Sequence, residues 1–157
     1  MLTAMALGLS YLENLFPVLI PVPGVKLGLA NIVTLFALYA LGGGQAMLIL
    51  LGRCMLGAVF AGNMNAMIFS VLGGVTAMLV MILLSRSKKL SVYGVSIGGA
   101  AGHNCGQIAA AMITLGNTAP LYYLAVLRGV SLGTGAVTGL VCAGVFRTLN
   151  RTGLMKG

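Results

Sequence analysis

One carboxylate, Glu13, stands against nine lysines and arginines in this chain. Charged residues make up only 6% of the sequence, whereas 59% is hydrophobic and the mean hydropathy is +1.08. A typical soluble domain is about 25% charged, so this chain has too little charge to cover a water-facing surface. Its apolar runs approach the roughly 20 residues that cross a bilayer as a helix. The sequence therefore reads as an all-α integral membrane protein. In that setting an ionisable group at the centre of a span costs about 2.5–3.5 kcal/mol. Arg53, His103 and Arg128 must then face a polar interior, and the excess of cations points to recognition of something anionic.

At 157 residues the expectation is one transmembrane domain, residues 1–157, with six transmembrane helices. The first covers about residues 1–16 and stops before Pro17; Pro21 and Pro23 keep the next stretch extended. The second covers about 26–41 and ends at Gly42-Gly43-Gly44, read as a helix-breaking turn. The third covers about 45–61. The fourth follows the Gly62-Asn63 turn over about 65–85. The fifth covers about 90–115 and the sixth about 120–146, with Pro120 suited to a first helical turn. No cleavable signal is expected, because Met1 leads straight into apolar sequence without a basic region. The first span is short, which leaves room for further residues upstream.

Charge sets the orientation. Arg86, Lys88 and Lys89 lie between spans four and five, and Arg147, Arg151 and Lys156 follow span six. With six spans these clusters share one side, which the positive-inside tendency makes cytoplasmic. The expected location is thus the cell membrane, multi-pass, with both termini cytoplasmic. The formal charge of +8 is explained by topology and an anionic ligand, and no nucleic-acid partner is expected.

Several chemistries are excluded. There is no Asp, so paired carboxylates for metal-diphosphate work are missing. Gly42-Gly43-Gly44 lacks the Lys-Ser/Thr of a phosphate loop. Cys54, Cys105 and Cys142 form no CxxC pair and read as buried small residues. No Cys/His cluster has zinc spacing. Catalysis, a metal site and a cofactor are therefore not expected.

Small residues recur at four-residue spacing on the last two helices: Gly98, Gly102, Gly106 and Ala110, then Gly135, Gly139 and Ala143. Such spines let helix backbones approach closely, and they also permit one helix to slide on another. His103 and Gln107, four apart, project from one face of span five, with Asn104 on a neighbouring face. His103 fits either a helix-to-helix hydrogen bond or a ligand contact. Arg128 shares a stripe with Ser131, Gly135 and Gly139. Glu13 can pair with Lys26, Arg53 or Arg128, but not with all three, so at least one cation is left for carbonyls, water or a bound anion.

The stretch Ser10-Tyr11-Leu12-Glu13 and the run from Pro21-Val22-Pro23-Gly24-Val25-Lys26 through Leu27-Gly28-Leu29-Ala30-Asn31-Ile32 resemble the membrane family labelled Gx transporter or heptaprenyl diphosphate synthase component I. That resemblance implies a six-helix bundle similar to the substrate-binding S components of energy-coupling-factor (ECF) transporters. It also implies partners: an ECF-type transmembrane coupling subunit and ATPase subunits. S components dock through small residues on their first helix, and Ala4 and Gly8 approximate that pattern. The synthase label sits against an Asp-free sequence, which leaves only a membrane accessory or carrier role in polyprenyl diphosphate synthesis.

The leading expectation is a substrate-capture subunit of an ATP-driven importer for a small anionic or amphipathic vitamin, quinone or isoprenoid precursor. Glu13, Asn14, Lys26 and Asn31 form its lid and rim, and Arg53, His103, Asn104, Gln107 and Arg128 its deeper polar wall. Membrane lipid surrounds it. The alternative is a non-catalytic membrane accessory subunit, component I, of heptaprenyl diphosphate synthesis. Six spans carry a direct test: cysteines introduced at 62–64 and at 86–89 are expected to label from opposite sides of the membrane. Labelling of both from one side would overturn the map.

Overall fold

A computed structural model describes residues 1–15, 29–62, 64–87 and 90–151, with side chains described for 1–12, 30–60, 62, 64–87, 90–122, 129 and 132–148. Every regular element among them is helical: α1 (Leu2–Leu15), α2 (Leu29–Leu41), α3 (Gly43–Ala61), α4 (Met64–Ser85), α5 (Val92–Leu115) and α6 (Leu124–Arg151). The expected all-α class holds. A short 3-10 turn, Ala119–Tyr123, precedes α6.

The helix ends follow from local chemistry. Gly62 and Gly116 adopt left-handed φ values of 58° and 64°, and the Gly116 N–H donates to the Met112 carbonyl at 2.9 Å. Glycine takes this conformation without a Cβ penalty, which closes α5 sharply. At its start, Ser91 accepts from the Gly94 N–H at 3.3 Å, an N-cap contact. Three boundaries differ from the sequence reading. Only Gly42 breaks the chain after α2, with φ 95°, while Gly43 and Gly44 already belong to α3. Pro120 lies in the 3-10 turn, because its fixed φ suits that tighter winding as well as a first α-turn. The last helix continues past Phe146 to Arg151, since arginine sustains a helix and suits its C-terminus.

Consecutive helices alternate in direction. Phe36 and Tyr39 of α2 meet Phe146 of α6, with ring centroids 5.2 and 5.8 Å apart. Gly43 at the start of α3 lies against Ile82 near the end of α4, and Gly139 of α6 against Tyr93 near the start of α5. One end of the bundle therefore gathers the close of α2, α4 and α6 and the openings of α3 and α5. Arg86 and Arg147 are exposed there. Thr3 and Leu7 of α1 abut Gly52 and Gly57 of α3, so these two helices run parallel.

Backbone proximity is greatest around α5. A Cβ on Gly106 would strike the Leu72 carbonyl and stand 2.8 Å from Gly73 Cα of α4; one on Gly135 would stand 2.7 Å from Ile97 Cα. Thr76 Oγ1 shares its proton between the Leu72 carbonyl of its own helix at 2.7 Å and the Gly102 carbonyl across the first seam at 2.9 Å, and Ser96 Oγ donates across the second to the Gly135 carbonyl at 2.8 Å. The expected glycine spines are thus packing seams. Leu35, Leu50, Met78 and Val95 form the core with small Ala46, Ala77 and Cys142. Cys54 and Cys142 are buried as expected; Cys105 is exposed, because it lies on the α5 face away from both seams.

The outside is as apolar as the inside. Leu48, Val59, Phe60 and Leu83 are each more than two-thirds exposed. Gly43–Phe60 and Met64–Ser85 are long and apolar enough to cross a membrane; Leu2–Leu12, Ala30–Leu41 and Leu132–Thr148 are apolar but shorter. The seams are testable. Gly106→Ala should lower stability by about 1–3 kcal/mol, because the atoms it meets are backbone and cannot rotate away. Gly133→Ala, which meets nothing within 4 Å, should be neutral or stabilising by about 0.5–1 kcal/mol. Thermal unfolding in detergent separates the two.

Candidate functional site

Arg53 is the charged side chain placed deepest among the described residues, with 8% of its surface exposed. It lies ten residues into α3, or roughly 15 Å from that helix's start at 1.5 Å per residue. Its neighbours along the buried stripe are Ala46, Leu50 and Cys54, spaced so that the polar head shares a face with core side chains. Nη1 donates to Ser10 Oγ of α1 at 3.3 Å, and Nε has no hydrogen-bond partner among the described residues. Glu13 lies one helical turn beyond Ser10 on α1, on the same face by its i+3 spacing.

The α4 helix relates Arg53 to the polar residues of α5. Cys54 Sγ donates to the Ser70 carbonyl at 3.4 Å, and Leu50 rests on Gly74, which sets the level of Arg53 near Val71. Two residues on, Gly73 faces α5. A Cβ there would stand 2.9 Å from His103 Cε1 and 3.1 Å from Gln107 Cγ. His103 and Gln107 thus do share a face, seated on the gap that Gly73 leaves. Gln107 is 6% exposed, and its Oε1 has no hydrogen-bond partner among the described residues. Arg53, His103 and Gln107 occupy one level of the bundle, flanking α4.

Register brings one more position to that level. Gly135 of α6 opposes Ile97 and Ala100, and Gly139 opposes Tyr93 and Ser96. Because α6 runs antiparallel to α5, position 128 falls opposite residues 104–107. It also lies on the Gly135 face, seven residues being two turns. The side chain of Arg128 lies outside the described set, as do those of Glu13 and Asn14; Lys26 lies outside the described residues altogether. Asn104 is half-buried beside His103. Asn31 is half-buried in the first turn of α2, where its carbonyl accepts from the fully buried Thr34 Oγ1 at 3.1 Å. On α1, Ala4 is exposed and a Cβ on Gly8 would meet nothing within 4 Å, so that face is open.

Two contributors were not singled out from sequence for these roles. Ser10 holds the guanidinium of Arg53, yet nothing local in either helix announces that α1 and α3 lie side by side. Gly73 seats His103 and Gln107; the Gly73-Gly74 pair inside an apolar helix is the signal that marks it. A guanidinium and an amide are thus buried at one depth on either side of α4. The arrangement offers no proton relay of paired carboxylates.

The sequence model of the family described as heptaprenyl diphosphate synthase component I matches residues 2–145. No curated protein and no solved structure matches the chain.

A buried charge held for a ligand differs from one that holds the fold. Replacing a buried ionic group by an apolar one of similar volume is often neutral or stabilising by about 1–4 kcal/mol. Arg53→Met should therefore leave the ligand-free melting temperature unchanged or raised. A loss of about 3–5 kcal/mol in thermal unfolding would mark Arg53 as a structural pair instead.

Proposed function

The chain belongs to the heptaprenyl diphosphate synthase component I family, and from that membership we propose that it is the non-catalytic membrane component of a two-part prenyl diphosphate synthase. The carrying observation is the family match over residues 2–145 on a sequence whose acidic residues number one. Prenyl transfer with magnesium and diphosphate needs several carboxylates to hold the metal, and this chain cannot supply them. The carboxylates then belong to a separate catalytic subunit. This chain contributes an apolar bundle at the membrane, beside which a long prenyl product is at home.

In this reading the bundle is one multi-pass unit in the cell membrane. Six spans and cytoplasmic termini are favoured by the alternation of the helices and by the basic residues Arg86 and Arg147 gathered at one end. A catalytic subunit would meet the membrane component from that side.

A second reading, substrate capture for an ATP-driven importer, is favoured by the buried polar groups of Arg53 and Gln107 at mid-depth. Under it Glu13, Asn14, Lys26 and Asn31 rim the site; Arg53, His103, Asn104, Gln107 and Arg128 line it; and Ala4 and Gly8 meet a coupling subunit. The two readings differ in their partners. Affinity purification from native membranes in mild detergent is expected to recover an acid-rich prenyl diphosphate synthase subunit. The purified chain alone is expected to make no polyprenyl diphosphate, and adding it to that subunit in liposomes should raise product formation. Recovery of a transmembrane coupling subunit with ATPases, and no synthase, would replace the first reading with the second.

A further inference from the structure

Two exposed arginines each stand at the end of an outward apolar stripe. On α4, Leu79 and Leu83 are more than half exposed, on a face turned away from the α5 seam. Arg86 continues that row three residues on, because the Ser87 N–H donates to the Leu84 carbonyl at 3.1 Å and carries the winding just past Ser85. On α6, Val137 and Leu140 are more than half exposed, and a Cβ on Gly144 would meet nothing within 4 Å. Arg147 follows Gly144 by one turn and Leu140 by two, and position 151 extends the same face to the helix end. Lys88 and Lys89 come between Arg86 and α5 in sequence, outside the described residues. Glu13, the one acidic residue, sits near the close of α1; that helix runs parallel to α3 and so closes at the opposite end. Tyr39 of α2 is partly exposed at the arginine end, edge-on to Phe146. A ring with an apolar body and a polar tip suits the head-group level of a bilayer.

Direction decides the partner. A soluble protein approaching along the bundle axis would meet the end face. These arginines instead cap the sides, directly above exposed leucines and a valine, where hydrocarbon would give way to lipid head groups. We propose that Arg86 and Arg147 form a collar that seats the bundle in an anionic bilayer surface, each guanidinium held laterally by acidic lipid head groups. The proposal rests on the reading that this chain is a membrane component, and adds which lipids it selects. Orientation asks only that cations lie on one side; the collar also asks that they reach head groups beside the bundle. An arginine offers several donors in a planar fork, and no acidic residue of this chain shares that end to compete for them.

The test places the purified full chain in nanodiscs holding equal phosphatidylglycerol and phosphatidylcholine with matched acyl chains. Mass spectrometry then counts the lipids that stay with the chain on release into detergent. A basic side chain near an anionic surface is worth about fivefold, so wild type should retain phosphatidylglycerol by about fivefold or more at low salt. Raising the salt to about 1 M should erase most of that preference. The double variant Arg86→Gln, Arg147→Gln should fall to within about twofold of parity, and Arg86→Lys, Arg147→Lys should keep most of the wild-type value. Both side chains are exposed, so the melting temperature of the double Gln variant in phosphatidylcholine should match wild type, which separates lost lipid from lost fold. Equal retention of the two lipids by wild type, or a double Gln variant within about twofold of wild type, would overturn the collar. A double Gln variant that keeps its lipids but no longer recovers a synthase subunit would make these arginines a protein dock, and the collar would fall. Incorporation without lipid preference sinks the collar and leaves the membrane reading standing; failure to enter nanodiscs of either lipid sinks both.

Discussion

Helix α5 meets both of its neighbours backbone to backbone, and the placement of His103 and Gln107 follows from that contact. A bundle in hydrocarbon would have no hydrophobic force to press its helices together, and close van der Waals approach with hydroxyl-to-carbonyl bonds is what such a setting calls for. Gly102 and Gly106 leave α4 free to come within touching distance, and Gly135 and Gly139 do the same for α6. Ser96 then donates to a carbonyl across one seam, and the Thr76 hydroxyl lies within reach of the Gly102 carbonyl across the other as well as of Leu72 in its own helix. His103 and Gln107 thereby acquire a fixed depth, and position 128 acquires a fixed opposite number.

The near half is held differently. On α3, Gly52 and Gly57 give α1 shallow seats for Thr3 and Leu7, and the polar tie is a single long side chain, Arg53 to Ser10. A guanidinium at the end of a flexible stem fixes less than a hydroxyl bonded across a glycine seam. It also offers several donors, of which Ser10 occupies one. The contrast separates two kinds of fastening in one bundle: glycine seams among α4, α5 and α6, and one long polar side chain between α1 and α3. An arginine that served only to fasten α1 would take stability with it when exchanged for an apolar side chain.

Much of the frame could be read from the residues. The helices show as apolar runs between glycine and proline, and the four-residue glycine spacing shows as packing seams because period four stays on one helix face. What escaped was set at longer range. The Gly42-Gly43-Gly44 run reads as a break, yet a single left-handed glycine suffices to turn the chain, so the other two enter α3. Arg53 stands out as a charge within an apolar run, whereas its partner Ser10 is 43 residues away on a helix whose parallel placement no local pattern encodes. His103 and Gln107 share a face by spacing alone; their seat on Gly73 depends on how α4 and α5 rotate against each other. Lys26, Glu13 and Asn14, which the sequence places at an expected rim, have side chains outside those described.

Metal-diphosphate chemistry and diphosphate holding ask for opposite residues. Magnesium needs carboxylates, several of them, with water to complete its shell. Those groups would each have to be buried or paired inside a bilayer, at a cost that grows with their number. Holding a phosphate needs cations, and arginine is the cation best suited to low dielectric because it is weakly hydrated and never loses its proton. A chain with nine basic residues and one acidic residue lacks the paired carboxylates of the first. Exposed Arg86 and Arg147 at one end of the bundle are solvated and cheap to keep; buried Arg53 is neither. Under the proposed division, an acid-rich subunit in water and an acid-poor one in the membrane would each carry the charges its solvent tolerates, which fits the component I family to which the chain belongs.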